Sequence, residues 1–189
     1  MYESSKTRNL VLCALFVALI AAGAFIKIPI PVVPFTLQFL FTMLAGLLLG
    51  GRLGCCAVCV YIILGLIGLP IFAQGGGIGY IFQPSFGYII GFAVGAYVTG
   101  AIANKRGRPS YPRLLAANFI GLAIVYLFGM VYYALISDLY LGTPIGFWPL
   151  FLYCFILAVP GDIVLCVVGA VLGKRLIPLV GTPREERTA

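Results

Sequence analysis

The last apolar run of the chain, Trp148 to Gly173, carries an aspartate, Asp162, immediately after Pro160 and Gly161. A helix needs about 20 mostly apolar residues to cross a bilayer, and this run is long enough. A carboxylate near the middle of such a span costs at least ~3 kcal/mol, so it normally faces a partner or a polar cavity. Pro and Gly loosen the helix at the same point. Irregular backbone at membrane depth is tolerated only inside protein or along a cavity. Two readings follow: a ligand site built around Asp162, or a protonated Asp162 hydrogen-bonded to a neighbouring helix.

Composition extends the argument to the whole chain. Of its 189 residues 62% are hydrophobic and 9% charged, against roughly 25% charged in a soluble domain. The expected fold class is therefore an all-α integral membrane protein, a single domain over residues 1–189. The apolar runs place six transmembrane helices at approximately 10–26, 36–50, 53–69, 86–103, 114–136 and 148–173. The first run follows Lys6 and Arg8 and resembles a signal peptide, with Ala22-Gly23-Ala24 as a cleavage site; its length and the spans after it favour a retained helix. Ala14, Ala18 and Ala22 recur every four residues and share one face of that helix. Small residues at this spacing serve either internal packing or the docking of another subunit.

The net charge of +7 is distributed as a topology signal. Basic residues sit at the chain ends and in the short connections at Arg52 and Lys105 to Arg113, and Lys27 alone falls on the opposite side. By the positive-inside rule the N- and C-termini are cytoplasmic. No basic face interleaved with aromatics is present, so nucleic acid is not an expected partner. The outer connections are then Lys27 to Phe35, with Pro29, Pro31 and Pro34, the stretch Ile71 to Ser85, and Ser137 to Phe147 with Asp138. Ile71 to Ser85 holds Gln74, Gly75, Gly76, Gly77, Gly79 and Gln83, carries no charge and is too apolar for a solvated linker. It is expected to fold back as a lid or re-entrant segment.

Enzyme chemistry finds no support. The chain has no histidine, no paired carboxylate inside a span and no G-x-S-x-G. Six cysteines include one C-x-x-C, Cys56 to Cys59, without a second pair to complete a metal site; they read as small packing residues. Neither a metal nor a cofactor is expected, and with no nucleotide-binding motif any ATP is used by another chain. Rings of charge that would line a pore are missing too. What remains suits capture of a small, partly apolar molecule. Tyr88, Tyr126, Trp148 and Tyr153 are candidate walls, or alternatively interfacial belt residues.

Several stretches carry a family resemblance. Ile28-Pro29-Ile30-Pro31 with Val33-Pro34-Phe35-Thr36-Leu37-Gln38, then Gly68-Leu69-Pro70-Ile71-Phe72, the Gly75 to Gly79 cluster, Gln83-Pro84-Ser85-Phe86-Gly87-Tyr88 and Val159-Pro160-Gly161-Asp162 stand in order along the chain. Together they resemble the BioY family, the biotin-binding S components of energy-coupling factor transporters. The resemblance implies an S-component fold in the plasma membrane of a prokaryote, multi-pass, with a site opening outward. Biotin would be captured there and delivered inward by rotation of the subunit. The implied partners are a transmembrane coupling subunit and two cytoplasmic ATPase subunits, which alone use ATP; homo-oligomers are compatible with it.

Residue by residue, the resemblance assigns Asp162, Gln38 and Tyr88 to the ligand, with Thr36, Gln74, Gln83, Lys27 and Tyr126 completing the expected substrate site. The face of Ala14, Ala18 and Ala22 resembles the alanine motif by which S components dock. Two positions depart from the family pattern: Leu165 and Ile89 stand where many or some members carry Lys and Arg. Lys27 is the expected substitute cation, its alternative role being an interfacial anchor. An S component for a different vitamin, or a ligand-free membrane scaffold subunit, are the alternative functions.

Overall fold

Five helical runs in the computed structural model are long and apolar enough to cross a membrane: Lys6–Phe25, Gln38–Leu66, Phe86–Ala103, Tyr111–Leu139 and Trp148–Val180. The structure describes residues 2–28, 34–105, 109–142 and 145–180. Pro29, Pro31, Arg106, Arg108 and the tail from Gly181 lie outside the described residues. In chain order the elements are α1 (Tyr2–Phe25), β1 (Lys27–Ile28), β2 (Phe35–Thr36), α2 (Gln38–Leu66), a 3-10 turn (Ile78–Phe82), α3 (Phe86–Ala103), α4 (Tyr111–Leu139), α5 (Phe147–Phe151), a π turn (Leu152–Ile156) and α6 (Val159–Val180).

Helix α2 is a hairpin rather than a rod. Gly50 breaks it with φ 81° and ψ 165°, a conformation open to glycine and strained for other residues. Gln38 Nε2 donates to Tyr61 Oη at 2.5 Å, whereas a straight helix would hold those residues about 34 Å apart at 1.5 Å per residue. A Cβ on Gly54 would lie 2.7 Å from Gly46 Cα. The arms 38–49 and 51–66 therefore pack antiparallel, and the reversal falls at Gly50 rather than at Gly51-Arg52. Thr36, expected to open a helix, belongs instead to β2, and the second arm stops at Leu66.

Contacts fix the two ends of the bundle. Cys13 Sγ lies 3.5 Å from the Leu53 carbonyl, while Gly23, further along α1, packs on Phe41 and the Gln38 backbone. Asn104 Nδ2 donates to Leu47 O at 3.2 Å, and Lys174 Nζ donates to Pro109 O at 2.7 Å. Arg52, Lys105 and Lys174 thus gather at one end with the start of α1. Lys27, the β1–β2 pair and residues 71–85 gather at the other. Between the ends the helices meet through glycine: a Cβ on Gly91 of α3 would lie 2.9 Å from Val125 Cα of α4. Such close approach is how helices associate where lipid removes the hydrophobic drive between them.

The last apolar run, Trp148–Val180, is helical and loosened in its middle as expected, with the irregular stretch lying just ahead of Pro160. α5 ends at Phe151, the π turn follows, residues 157–158 form a turn, and α6 starts afresh at Val159. Pro160 and Gly161 lie in the first turn of α6, where a missing N–H costs no hydrogen bond. Asp162 shares that turn, and a helix N-terminus favours a negative charge. Helix α6 continues past Lys174 and Arg175 to Val180.

Candidate ligand site

At the end bearing Lys27 the structure holds a cleft open at its mouth, whose empty space is about 640 Å³ with the open solvent of the mouth included. Among the described residues its walls come from β2, α2, the covering segment, α3, α4, the π turn and the start of α6; α1, β1 and α5 contribute none. Asp162 and Ala158 represent the start of α6, Tyr153 and Cys154 the π turn, and Val125 and Tyr126 helix α4. Tyr88, Ile89 and Phe92 come from α3, Gln38 and Phe39 from α2, Phe35 and Thr36 from β2, and Ala73, Tyr80 and Ser85 from the covering segment.

Asp162 is 8% exposed, and Tyr126 Oη donates to its Oδ2 at 2.5 Å. Hydrogen bonds to a charged acceptor are worth about 1.5–3 kcal/mol, which offsets much of the cost of burying the acid. Asp162 lines the cavity, and among the described residues Tyr126 is the one side chain bonded to its carboxylate. Gly161 permits this geometry, since a Cβ there would lie 2.6 Å from the Phe35 ring. Tyr88 serves differently: its hydroxyl donates to the Cys154 carbonyl at 3.0 Å. That carbonyl belongs to the π turn, where the regular helical ladder is interrupted. The Tyr88 ring is left to form the wall, edge-on to Tyr126 with centroids 5.9 Å apart.

Gln38 is fixed from both sides. Thr36 Oγ1 lies 3.3 Å from Gln38 Oε1 as donor, and the Gln38 amide donates to Tyr61 Oη, which in turn donates to Ile71 O at 3.0 Å. The chain from Thr36 to Ile71 ties the hairpin start to the covering segment. That segment folds inward as expected of a lid. Phe72 is 1% exposed and its ring meets that of Tyr80 at a tilt, with centroids 4.5 Å apart, and Gly77 N–H donates to Gly65 O at 2.7 Å. The Tyr132 hydroxyl donates to the Ile81 carbonyl. Tyr80 Oη lies 3.2 Å from Ser85 Oγ, and burial pushes the Tyr80 phenol up, so it stays neutral.

Of the expected site residues, Asp162, Gln38, Tyr88, Thr36 and Tyr126 meet around this one cavity. Gln74 and Gln83 point outward and are exposed; Gln74 contributes its backbone N–H to the Tyr80 hydroxyl. Lys27 is exposed and its Nζ donates to Ala73 O at 2.7 Å. Trp148, a candidate wall, is 64% exposed and outside the cavity, whereas Tyr153 lines it. Ile89 lines the cavity and Leu165 is buried, so neither departure from the family pattern is replaced by a cation in the wall. Ser85 and Tyr80 were not anticipated, although Ser85 stands inside a quoted motif. Tyr61 had no sequence signal beyond a lone hydroxyl in an apolar helix. Ala14, Ala18 and Ala22 are all exposed along α1.

The architecture is that of a known class. A crystal structure titled as the S-component for biotin from an ECF-type ABC transporter superposes with a TM-score of 0.78 at 27% identity, covering 93% of this chain and 94% of that one. This chain is a multi-pass membrane protein with that S-component fold. The BioY family model matches residues 1–182, and the chain belongs to the BioY family. A probable biotin transporter of Lysinibacillus sphaericus is 44% identical over 184 residues, 97% of this chain and 94% of that protein. The biotin transporter of Thermotoga maritima is 37% identical over 171 residues, 89% of this chain and 95% of that one.

Proposed function

We propose that this protein is the substrate-capture subunit of a biotin uptake transporter, binding biotin from the outer side and delivering it inward. The observation that carries the reading is a buried carboxylate, Asp162, braced by Tyr126 and bordering an aromatic cavity in a BioY family member. Asp162 accepts N–H bonds from the ureido ring, and the Gln38 amide, held by Thr36 and Tyr61, contributes a donor or acceptor beside it. The rings of Tyr88, Tyr126 and the neighbouring phenylalanines cover the apolar part of the ligand. Gln74 and Gln83 act at the outer rim of the lid.

The same reading gives the topology. With the α2 hairpin counted as two crossings, the chain crosses the membrane six times and both termini are cytoplasmic. The basic end then faces inward, as the positive-inside rule requires. Energy comes from a transmembrane coupling subunit and two cytoplasmic ATPase subunits. The exposed alanine face of α1 is the docking surface for the coupling subunit.

Equilibrium binding of biotin, riboflavin and thiamine to the purified protein tests this. Biotin alone is expected to bind below micromolar concentration, and its failure to do so rejects the assignment. Asp162→Asn is expected to weaken biotin at least tenfold, about 1.4 kcal/mol, with the protein still folded. Unchanged affinity would return the scaffold reading, in which Asp162 serves only Tyr126.

A further inference from the structure

Helix α4 turns Val125 and Tyr126 toward the cavity. One turn further on, Gly129 falls on the same face; it is buried and does not itself border the cavity. The place a side chain would take there is filled by a ring from α3. A Cβ on Gly129 would lie 2.5 Å from Cε1 and Cε2 of Tyr88 and nearer still to Cζ. Gly91, by contrast, lets the two helix backbones meet at Val125 Cα. In a helix interior glycine is less favourable than alanine, so α4 itself gains nothing from Gly129. What gains is the Tyr88 ring, which sinks into the helix surface.

We infer that Gly129 is a positioning residue that fixes the width of the cavity through the Tyr88 ring. The ring is held between two points. Its hydroxyl is bonded to Cys154 O in the π turn at 3.0 Å, and its hydroxyl-bearing end rests on Gly129. A methyl group at position 129 requires the ring to move by about 1 Å to reach ordinary carbon–carbon contact. The empty space that the ring borders is the cavity. Tyr88 stands edge-on to Tyr126, which bonds Asp162. It is therefore one aromatic ring away from the acid, beside whatever is fused to the ureido head that Asp162 holds. Width at this point discriminates a two-ring head from a single ring. This inference rests on the biotin assignment and deepens it.

The test compares biotin with desthiobiotin, which keeps the ureido ring and the carboxylate chain but lacks the sulfur that closes the second ring. Both are titrated onto wild-type protein, Gly129→Ala, Tyr88→Leu and the double variant. Gly129→Ala is expected to weaken biotin by about thirtyfold, as overpacking does, and desthiobiotin by no more than about threefold. In the Tyr88→Leu background, where the ring is gone, adding Gly129→Ala should change biotin affinity by less than about twofold. An equal or greater loss for desthiobiotin would make Gly129 a general packing residue, and the inference fails. Unchanged biotin affinity, or a Gly129→Ala protein that does not fold, overturns it too, since either shows that the ring does not yield into the cavity. A loss beyond about threefold on adding Gly129→Ala to Tyr88→Leu means that Gly129 acts on something other than the ring, and is equally fatal. Failure of wild-type protein to bind biotin at all instead rejects the parent assignment, and this inference with it.

Discussion

The two ends of the bundle bury similar polar groups and put them to different uses. At the basic end Thr99, Asn104 and Asn118 lie on or at the ends of regular helices, each bonded to a carbonyl of another segment: Thr99 to Ala117, Asn104 to Leu47, Asn118 to Cys166. Glycine closes the space around them, as where a Cβ on Gly100 would lie 2.7 Å from the Gly50 backbone. At the cavity end Asp162, Gln38, Thr36 and Ser85 stand beside a two-residue hairpin, a 3-10 turn and a π turn. These interruptions hold the walls apart. They are stabilised by tyrosine hydroxyls on the carbonyls they leave exposed: Tyr88 on Cys154, Tyr61 on Ile71 and Tyr132 on Ile81. Depth and polarity alone do not make a site; broken backbone with its own hydrogen-bond partners does.

This contrast breaks first at Gly161. A side chain there drives Phe35 out of the wall and narrows the gap beside Asp162. Overpacking of this kind costs about 1–3 kcal/mol, so Gly161→Val is expected to weaken biotin binding by about thirtyfold while the protein remains a helical monodisperse species in detergent. Titration of purified variant by calorimetry decides it. Affinity within threefold of wild type would mean that the β1–β2 pair gives way freely and is not a fixed wall.

A smaller effect belongs to Tyr88→Phe. The ring stays in the wall, and only the bond to the Cys154 carbonyl is lost. A net intramolecular hydrogen bond is worth about 1 kcal/mol, so biotin affinity should fall by roughly fivefold as the π turn loosens. Hydrogen exchange of the amides in 152–158 should rise in the same variant. Faster exchange without weaker binding would separate the π turn from the ligand.

How far the sequence discloses all this depends on distance along the chain and on helical phase. Long apolar runs place the helices well, and α3 spans the residues expected of it, 86–103. Thr36 and Tyr88 enter the expected site through the family resemblance, while Asp162, Gln38 and Tyr126 are legible because a polar or hydroxyl group in an apolar setting demands a partner. Tyr61 is not, because its bond to Gln38 exists only after the hairpin reverses at Gly50. In the covering segment the 3-10 turn sets the phase, turning Tyr80 and Ser85 inward and Gln83 outward, and no simple period predicts that. Trp148 fails for a similar reason. The π turn adds a residue to its helical turn, so the face of α5 cannot be extrapolated back from α6.

The smallest effect is expected at the opposite end, and it is the sharpest check on the comparison. Asn118 is fully buried; its amide donates to Cys166 O at 2.8 Å, while its Oδ1 has no hydrogen-bond partner among the described residues. Leaving that oxygen unpaired costs about 1–3 kcal/mol, similar to what the amide bond returns. Asn118→Leu removes both and keeps the number and branching of the side chain's heavy atoms. Its melting temperature should change by only about 3 °C in either direction, in line with a net change under ~1 kcal/mol. Biotin affinity should stay within about twofold, since Asn118 touches α6 one turn below Asp162 and does not border the cavity. A tenfold loss of affinity with an unchanged melting temperature would show that the two ends are coupled through α6, and that the buried polar groups of the basic end take part in holding the ligand.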